Sequence, residues 1–495
     1  MIHELPILSI LIWLPILVGF VSLLVGAESN KKQFFLISIS NVTFFLCTII
    51  LFFVFLSFDV TDISFQFIEN YSWIQSPNIN YKIGIDSISL LLLILNTIIF
   101  LLISIHANGV VTEKMSQYLG AFLILCGVIN GVFCALDLLL FYIFFEVTLI
   151  PMFILIGIWG GPNKIYASTK FFLYTLFGSL LALLAIIYIY FETGTFDLVD
   201  LKQQSFSNGI ENILFFAFFC AFAVKIPMWP IHTWLPDAHT EAPTAGSVVL
   251  AAVLLKLGGY GFLRVSLPIL PDASLSYSPF IIILSLIAII YIGLVALVQK
   301  DMKRLIAYSS IAHMGFVTLG LFLFDDISIL GSIYQLLSHG FISAALFFCI
   351  GVLYDRFHSR NIKDYGGLAS KMPIFASFFL FFGMSNAGLP GTSGFVGEFF
   401  VIIAAIKFNL WIGILAATTL IFGAAYTLWM YKRVMFGELN TQFNSGFKIK
   451  DVYFYEIVIF SILTFIILLM GIKPNFITTL LEGSIYQITS AFGNY

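Results

Sequence analysis

Residues 221–264 read AFAVKIPMWPIHTWLPDAHTEAPTAGSVVLAAVLLKLGGYGFLR, which is two apolar segments joined by a stretch rich in proline. Lys225 closes the first apolar segment, and Pro227 and Pro230 follow it at once. Proline lacks a backbone N–H and its ring clashes with the preceding turn, so this stretch cannot be one unbroken helix. Lys256 stands in the middle of the second apolar segment. The stretch therefore predicts an interrupted helix with two lysines in an apolar setting.

The composition on either side of this stretch is typical of a membrane protein. Of the 495 residues, 60% are hydrophobic and 10% are charged, and the mean hydropathy is +1.04. About 20 consecutive apolar residues cross a bilayer, and such runs recur along the whole chain. The sequence predicts an all-α polytopic membrane protein of about 14 transmembrane helices, named span 1 to span 14. They cover roughly residues 6–26, 34–57, 86–105, 118–136, 138–157, 171–191, 212–229, 244–263, 279–298, 305–324, 328–353, 374–405, 410–431 and 452–472.

A second interruption is predicted in span 12, where residues 388–400 read GLPGTSGFVGEFF, with Pro390 and Gly391 in mid-span. It falls five spans after the interruption in span 7, and interrupted spans at matching places point to a transport site between inverted repeats. Spans 4–8 and 9–13 would form two five-helix repeats, the second one inverted. The predicted domains are 1–110 (three N-terminal helices), 111–270 (first repeat), 271–440 (second, inverted repeat) and 441–495 (C-terminal helix and tail).

The loop charges predict the orientation in the membrane. With the odd-numbered loops on one side, that side carries sixteen Lys and Arg residues and the other side five. Basic residues crowd the cytoplasmic side, so the basic face is expected in the cytoplasm or mitochondrial matrix, with both termini on the opposite side. The net charge of −3 gives no reason to expect nucleic acid as a partner. The five cysteines lie in predicted spans without a ligand motif, so no iron–sulfur cluster, haem or metal is expected in this chain.

Six titratable side chains are predicted near the middle of the membrane: Glu146, Lys225, Lys256, His313, His339 and Glu398. A charged residue at the centre of a bilayer costs at least about 2.5–3.5 kcal/mol, so such residues are candidates for function. Carboxylates, ammonium groups and imidazoles exchange protons near neutral pH once burial and neighbours adjust them. A Glu/Lys pair that forms and breaks would act as a proton switch.

Structural interpretations of these charges stand beside the functional one. Buried ion pairs also hold helices together, and a buried histidine is often only hydrogen-bonded. His232, Asp237, His239 and Glu241 could suggest a metal site, but they lack standard ligand spacing, which disfavours it. Asp86 with Ser87 is interpreted as a helix start before span 3. The charged residues Lys300, Asp301, Lys303 and Arg304 are interpreted as a solvated helix cap.

Several strings closely resemble the chain M family (mitochondrial subunit 4) of the antiporter-like subunits in proton-pumping NADH:quinone oxidoreductase, respiratory complex I. They include DLLLFYIFFEVTLIPMFILIGIWG (137–160), residues 221–264 quoted above, KRLIAYSSIAHMGFV (303–317), LLSHGFISAALFFCIGVLYDR (336–356) and LPGTSGFVGEFF (389–400). The resemblance runs from about residue 80 to 440. The sister subunits generally place lysine where this chain has Glu398, which favours the chain M family.

The resemblance implies a fold of fourteen helices broken at spans 7 and 12. It also implies roles for six residues in proton translocation. Glu146 pairs with Lys225, Lys256 is the central lysine, His313 and His339 come after it on the proton path, and Glu398 is the exit residue. This chain would bind no cofactor, while NADH, FMN, iron–sulfur clusters and ubiquinone would belong to the assembled complex. Its partners would be other membrane-arm subunits, especially neighbouring antiporter-like subunits, and lipids, in a bacterial or mitochondrial inner membrane.

The function expected from the sequence is therefore proton translocation coupled to NADH-to-quinone electron transfer elsewhere in a complex. Two alternatives remain open at this stage. One is a subunit of a cation/proton antiporter of the same fold without quinone reductase activity. The other is a passive membrane scaffold in which the buried charges only pin helices together.

Overall fold

A computed structural model of the chain describes residues 5–25, 30–75, 79–110, 114–438 and 450–493. Within these residues, twelve helices are long and apolar enough to cross a membrane. Spans 10 and 12 are also helical, the latter in two pieces. The predicted polytopic helical architecture is thus confirmed, while the total of fourteen spans stays a prediction. The predicted domain boundaries beside residues 111 and 440 touch stretches outside the described residues. Lys448, one of the sixteen basic residues counted on the predicted cytoplasmic or matrix face, also lies outside them.

The chain forms two compact units. Unit 1 takes its described residues from Met1–Ile226, Leu255–Tyr277 and Leu480–Tyr495, and unit 2 from Pro227–Leu254 and Ser278–Thr479. Each unit consists of residues that contact one another more than they contact the rest of the chain. The organisation into two inverted repeats stays a prediction.

Unit 1 contains spans 1–7. Its helices are Ile7–Val25, Asn30–Ser57, Ser87–Val110, Met115–Cys134, Leu138–Val147, Leu149–Trp159, Lys164–Thr193, Leu198–Leu201 and Asn208–Lys225. Phe145, Phe222 and Phe262 pack ring against ring in its interior, with ring centroids 5.5–6.1 Å apart. This aromatic packing surrounds the end of span 7.

Unit 2 contains spans 10–14. Its helices are Trp234–Glu241, Met302–Leu321, Asp326–Phe357, Pro373–Asn386, Ser393–Phe408, Leu410–Ala417, Thr419–Met435 and Phe454–Ile472, with short 3₁₀ turns at Ile362–Asp364 and Leu368–Ser370. Ile289, Phe316 and Val401 belong to its apolar core. That core fixes span 12 against spans 9 and 10.

Three helices have residues in both units. Span 8 runs from Thr244 to Ile269 and contains π-helical turns at Leu250–Leu254 and Phe262–Ser266. Span 9 runs from Pro271 to Leu297 and contains a π-helical turn at Ala288–Ile292. The C-terminal helix covers Asn475–Thr489 and is followed by a 3₁₀ turn at Ser490–Phe492. π-Helical turns widen a helix locally and are frequent at functional sites.

A β-hairpin between spans 2 and 3 was not predicted from the sequence. β1 (Gln66–Ile74) pairs antiparallel with β2 (Ile79–Ile85), with Tyr71 opposite Tyr81. Glu69 of β1 accepts hydrogen bonds at Oε1 from the backbone N–H groups of Leu8 (2.8 Å) and Ser9 (3.2 Å). The hairpin therefore satisfies the free N–H groups at the start of span 1.

Candidate functional site

The helix of span 7 ends at Lys225, and helical structure resumes at Trp234. Pro227 and Pro230 occupy the interruption, at the place where the sequence predicts it. The Lys225 side chain is buried, with 2% of its surface exposed. The interruption thus leaves a lysine at a helix end inside unit 1.

Span 5 divides at Thr148 into two helices, Leu138–Val147 and Leu149–Trp159. Pro151 explains this division, because it cannot donate a hydrogen bond to the carbonyl four residues earlier, which is that of Val147. Glu146 and Thr148 lie next to the division. The local sequence therefore places a carboxylate and a hydroxyl where the helix is irregular.

The Lys225 ammonium binds at this irregular turn of span 5. Its Nζ donates a hydrogen bond of 3.1 Å to Thr148 Oγ1 and lies 4.5 Å from the centre of the Phe145 ring. Glu146 acts on Lys225 electrostatically, but among the described residues the two form no direct ion pair within 4 Å. The pairing of Glu146 with Lys225 stays a prediction, and Thr148 was not identified from the sequence.

Lys256 is fully buried in span 8, two residues after the π-helical turn that ends at Leu254. Two residues further on, Gly258 lies against the end of span 7. A Cβ added there would be 2.7 Å from Ile226 N and from Phe222 O. Span 8 therefore approaches the end of span 7 closely beside Lys256.

In unit 2, span 12 places Glu398 against spans 10 and 11. His313 Nδ1 of span 10 lies 2.6 Å from Glu398 Oε1, and Gln335 Nε2 of span 11 donates to the same oxygen at 3.2 Å. All three side chains are buried. The structure thus joins two of the residues predicted from the sequence, His313 and Glu398, by a direct hydrogen bond.

A small cavity of about 10 Å³ adjoins this contact, and this volume is about the space that one water molecule requires. Its lining consists of His313, Gln335, His339, Ile342, Ser385, Asn386, Gly394 and Glu398. The His339 ring lies 5.7 Å from the His313 ring between centroids. Gln335 and His339 share one helix face, as their spacing of four predicts. The cavity brings His313, His339 and Glu398 together.

Span 12 is interrupted between Asn386 and Ser393, at the Pro390 and Gly391 break predicted from the sequence. Gly388 and Gly391 have φ values of +78° and +90°, a backbone conformation that glycine adopts without strain. A Cβ at Gly388 would lie 3.6 Å from Glu398 Oε2. One oxygen of Glu398 therefore faces His313 and the other faces the interruption.

Sequence reasoning also missed Tyr426 of span 13. Its hydroxyl lies 3.4 Å from His313 Nε2, so both imidazole nitrogens of His313 have a polar neighbour. Tyr426 is 1% exposed. Span 13 also contains Thr418, Thr419, Thr427 and Tyr431, so no local signal singled out Tyr426.

Three of the four side chains considered as metal ligands, Asp237, His239 and Glu241, form other contacts. Asp237 accepts from Arg304 at 3.1 Å, and the His239 ring stacks on Phe347 with centroids 4.6 Å apart. Glu241 lies 3.8 Å from Arg360. These contacts hold the helix Trp234–Glu241 within unit 2.

The prediction of a solvated helix cap at the start of span 10 is wrong for Lys303. Asp301 does cap span 10 by accepting from Arg304 N at 3.1 Å. Lys303, however, is not solvated: it is 4% exposed and donates to Ala242 O at 2.7 Å. A backbone carbonyl distant in sequence binds this ammonium, which a local pattern does not reveal. Asp86 starts span 3 as predicted, accepting from Ser89 N at 2.9 Å.

Two ionisable groups outside the spans are shifted by their surroundings. Burial raises the pKa of Asp137, although its side chain accepts from the N–H groups of Leu139 and Leu140 at the start of span 5. Burial and the neighbouring Arg264 charge lower the pKa of Lys202 to about 8. Both groups are therefore less favourably charged in the folded chain than in water.

Residues 135–423 match the family model described as NADH:quinone oxidoreductase/Mrp antiporter, transmembrane. The chain is 47% identical over 504 residues to NADH-quinone oxidoreductase subunit M of Rhodobacter capsulatus, covering 98% of this chain and 97% of the relative. It is 46% identical over 482 residues to NADH-ubiquinone oxidoreductase chain 4 of Marchantia polymorpha, covering 97% and 96%. A solved structure of respiratory complex I from Thermus thermophilus with bound NADH contains a chain that matches with a TM-score of 0.89 and 28% identity, covering 98% of this chain and all of that one. The chain belongs to the NADH:quinone oxidoreductase/Mrp antiporter transmembrane family, and the resemblance inferred from the sequence is confirmed.

Proposed function

We propose that this chain is a proton-translocating membrane-arm subunit of NADH:quinone oxidoreductase, the respiratory complex I. The observation that carries the proposal is near-complete alignment with relatives named as subunit M and chain 4 of that enzyme. The Glu398–His313 contact in an apolar membrane bundle supports proton transfer as its task. The matching relatives are oxidoreductase subunits, which favours this function over a free-standing antiporter.

The chain's own residues would move protons, and the redox chemistry would take place elsewhere in the complex, on NADH, FMN, iron–sulfur clusters and ubiquinone. Protons enter from the basic face and load Lys256. They pass by His313 and His339 to Glu398, which releases them on the opposite side. Moving one charge against 100 mV requires about 2.3 kcal/mol.

Glu146 and Lys225 act as the switch in this proposal. A nearby carboxylate favours the charged ammonium, and a lysine removed from the carboxylate into an apolar site releases its proton more easily. Rearranging this pair thus drives a proton toward Lys256. The electrostatic interaction of Glu146 with Lys225 and the burial of Lys225 support this role.

The Glu398 end of the path would work by direct transfer. An imidazole accepts a proton on one nitrogen and donates from the other, and His313 has a polar neighbour at each nitrogen. At 2.6 Å between Nδ1 and Oε1, a proton crosses between His313 and Glu398 without an intervening molecule. The second carboxylate oxygen faces the interruption of span 12, which gives an exit side.

Purification of the chain with its natural partners tests this function. We expect flavin- and iron–sulfur-containing proteins in the same complex, NADH-dependent quinone reduction by that complex, and proton translocation in sealed vesicles. Isolation of an intact complex without redox proteins that exchanges cations for protons would overturn the proposal.

A further inference from the structure

Thr148 is the immediate hydrogen-bond acceptor of the Lys225 ammonium. The Nζ to Oγ1 distance is 3.1 Å, and both residues are buried, Thr148 completely and Lys225 with 2% exposed. An ammonium taken out of water needs acceptors for its protons, because an unsatisfied buried charge is strongly destabilising. Thr148 therefore supplies a specific binding position for the lysine head group.

The direction of the Thr148 hydroxyl is fixed by a second contact. Thr148 Oγ1 donates to Phe145 O at 2.7 Å. A hydroxyl has one hydrogen and two acceptor lone pairs, so once its hydrogen is committed to Phe145 it offers only lone pairs to Lys225. This arrangement suits an ammonium, which can only donate.

Thr148 and Glu146 offer Lys225 two acceptors of different kinds. The division of span 5 at Thr148 places both beside the irregular turn. The ammonium is hydrogen-bonded to the neutral hydroxyl and lies within electrostatic range of the carboxylate.

We propose that Thr148 is a positioning residue that holds the Lys225 ammonium at a defined site beside Glu146 but out of direct contact with it. This inference rests on the proposed function, because it assigns Thr148 to the open position of the Glu146–Lys225 switch. A charged lysine in this position keeps one charge-assisted hydrogen bond but lacks the full stabilisation of a direct ion pair. Lys225 therefore releases its proton more easily in this position than in a direct ion pair with Glu146.

Residues of spans 5, 6 and 8 surround the Lys225–Glu146 region and indicate where a proton released by Lys225 would go. Glu146 on span 5 is the acidic residue that interacts electrostatically with Lys225, and Tyr142 is the titratable neighbour of Glu146 on the same helix. Span 6 presents Ser179 near Glu146. Span 8 meets the end of span 7 at Gly258, two residues beyond Lys256. A proton released at the Thr148 position therefore leaves Lys225 beside the span that carries Lys256.

Substitution of Thr148 in the intact complex tests this role. Thr148→Val replaces the hydroxyl by a methyl group of similar size, and Thr148→Ser retains the hydroxyl. Thr97→Val in span 3 is the matched control, because Thr97 is equally buried and its hydroxyl donates to the backbone carbonyl of Leu93 at 3.0 Å. The measurement is the pH profile of proton translocation coupled to NADH oxidation in sealed vesicles, together with the amount of assembled complex.

We expect the alkaline limb of the profile to move about one pH unit toward lower pH in Thr148→Val, because the charged lysine loses its acceptor in the open position. Thr148→Ser and Thr97→Val should follow the wild type. A valine variant whose limb stays in place, even if its activity falls equally at every pH, overturns the inference. If the valine variant does not assemble, Thr148→Ala provides the same comparison.

Lys225→Ala, measured in parallel, separates this inference from the proposed function. Loss of proton translocation in Lys225→Ala together with an unshifted Thr148→Val profile rejects the role of Thr148 alone. Normal translocation in Lys225→Ala rejects the switch itself, and with it the proposed role of Thr148.

Discussion

His313 and Glu398 form a buried hydrogen bond of 2.6 Å between Nδ1 and Oε1, although 85 residues separate them in the chain. Gln335 donates to the same carboxylate oxygen at 3.2 Å. The other oxygen faces Gly388 in the interruption of span 12. Glu398 therefore lies between the His313 imidazole and a helix break, which is the position that the proposed exit role requires.

Glu398→Gln should abolish proton translocation through this chain while the complex still assembles. Glutamine keeps the size and the acceptor oxygen but cannot take up and release a proton at neutral pH. The ratio of protons translocated to NADH oxidised, measured in sealed vesicles, should fall. Glu192→Gln, at the exposed end of span 6, should leave the ratio unchanged. A wild-type ratio in Glu398→Gln would contradict the exit role.

Gly397→Ala should destabilise the contact between spans 11 and 12. A Cβ at this position would lie 2.6 Å from Gln335 Oε1 and 2.9 Å from Gln335 N, closer than packed atoms approach. Forcing extra volume into a packed interior costs about 1–3 kcal/mol. Thermal unfolding of the purified complex should occur at lower temperature, whereas Gly157→Ala, with only Ser168 Oγ at 3.6 Å, should be tolerated. Equal melting of the two variants would refute the close approach.

Asp137→Asn and Asp137→Ala should have different effects on stability. Burial raises the pKa of Asp137 above its unfolded value of 3.8, so its charge is unfavourable in the folded chain. This penalty is complete well above the raised pKa and disappears as the pH falls through it toward 3.8. Asparagine removes the penalty and keeps the acceptor for Leu139 and Leu140, so we expect equal or higher thermal stability at pH 7. Alanine loses the helix cap, at about 1 kcal/mol.

The comparison of melting temperature against pH provides the check on Asp137. The wild type should gain stability relative to Asp137→Asn as the pH is lowered toward 4, because only the aspartate can become neutral. A wild type that loses stability relative to Asp137→Asn over the same range would show that the carboxylate is favoured in its charged form.

Lys256→Ala should separate proton transfer from a scaffold role. If Lys256 carries protons, the ratio of protons to NADH falls while the amount of assembled complex stays near normal. A passive scaffold predicts the opposite pattern, with poor assembly and an unchanged ratio in whatever complex forms. Native electrophoresis and vesicle measurements on the same preparation distinguish the two outcomes.

The sequence predicts the helices and both interruptions because their causes are local. About 20 apolar residues are enough to identify a span, and Pro227, Pro390 and Gly391 disturb a helix wherever they occur. Charged residues inside apolar runs likewise identify Glu146, Lys225, Lys256 and Glu398 as candidates before any contact is known.

The partners of these residues depend on packing between distant segments, so they could not be predicted from local patterns. Thr148 became visible only when the end of span 7 was placed against span 5. The burial of Lys303 likewise depends on the carbonyl of Ala242, 61 residues away. The hairpin Gln66–Ile85 was missed because a search for long apolar runs passes over short strands of mixed polarity.

Proton translocation by the intact complex carrying Lys225→Ala tests the central claim most directly, with Glu146→Ala as its companion and Lys407→Ala, at the exposed end of span 12, as the control. Assembled complex is quantified first, and protons translocated per NADH are then measured in sealed vesicles. We predict that both switch variants assemble but lose coupled translocation, while the control retains the wild-type ratio. A wild-type ratio in either assembled switch variant would contradict the account.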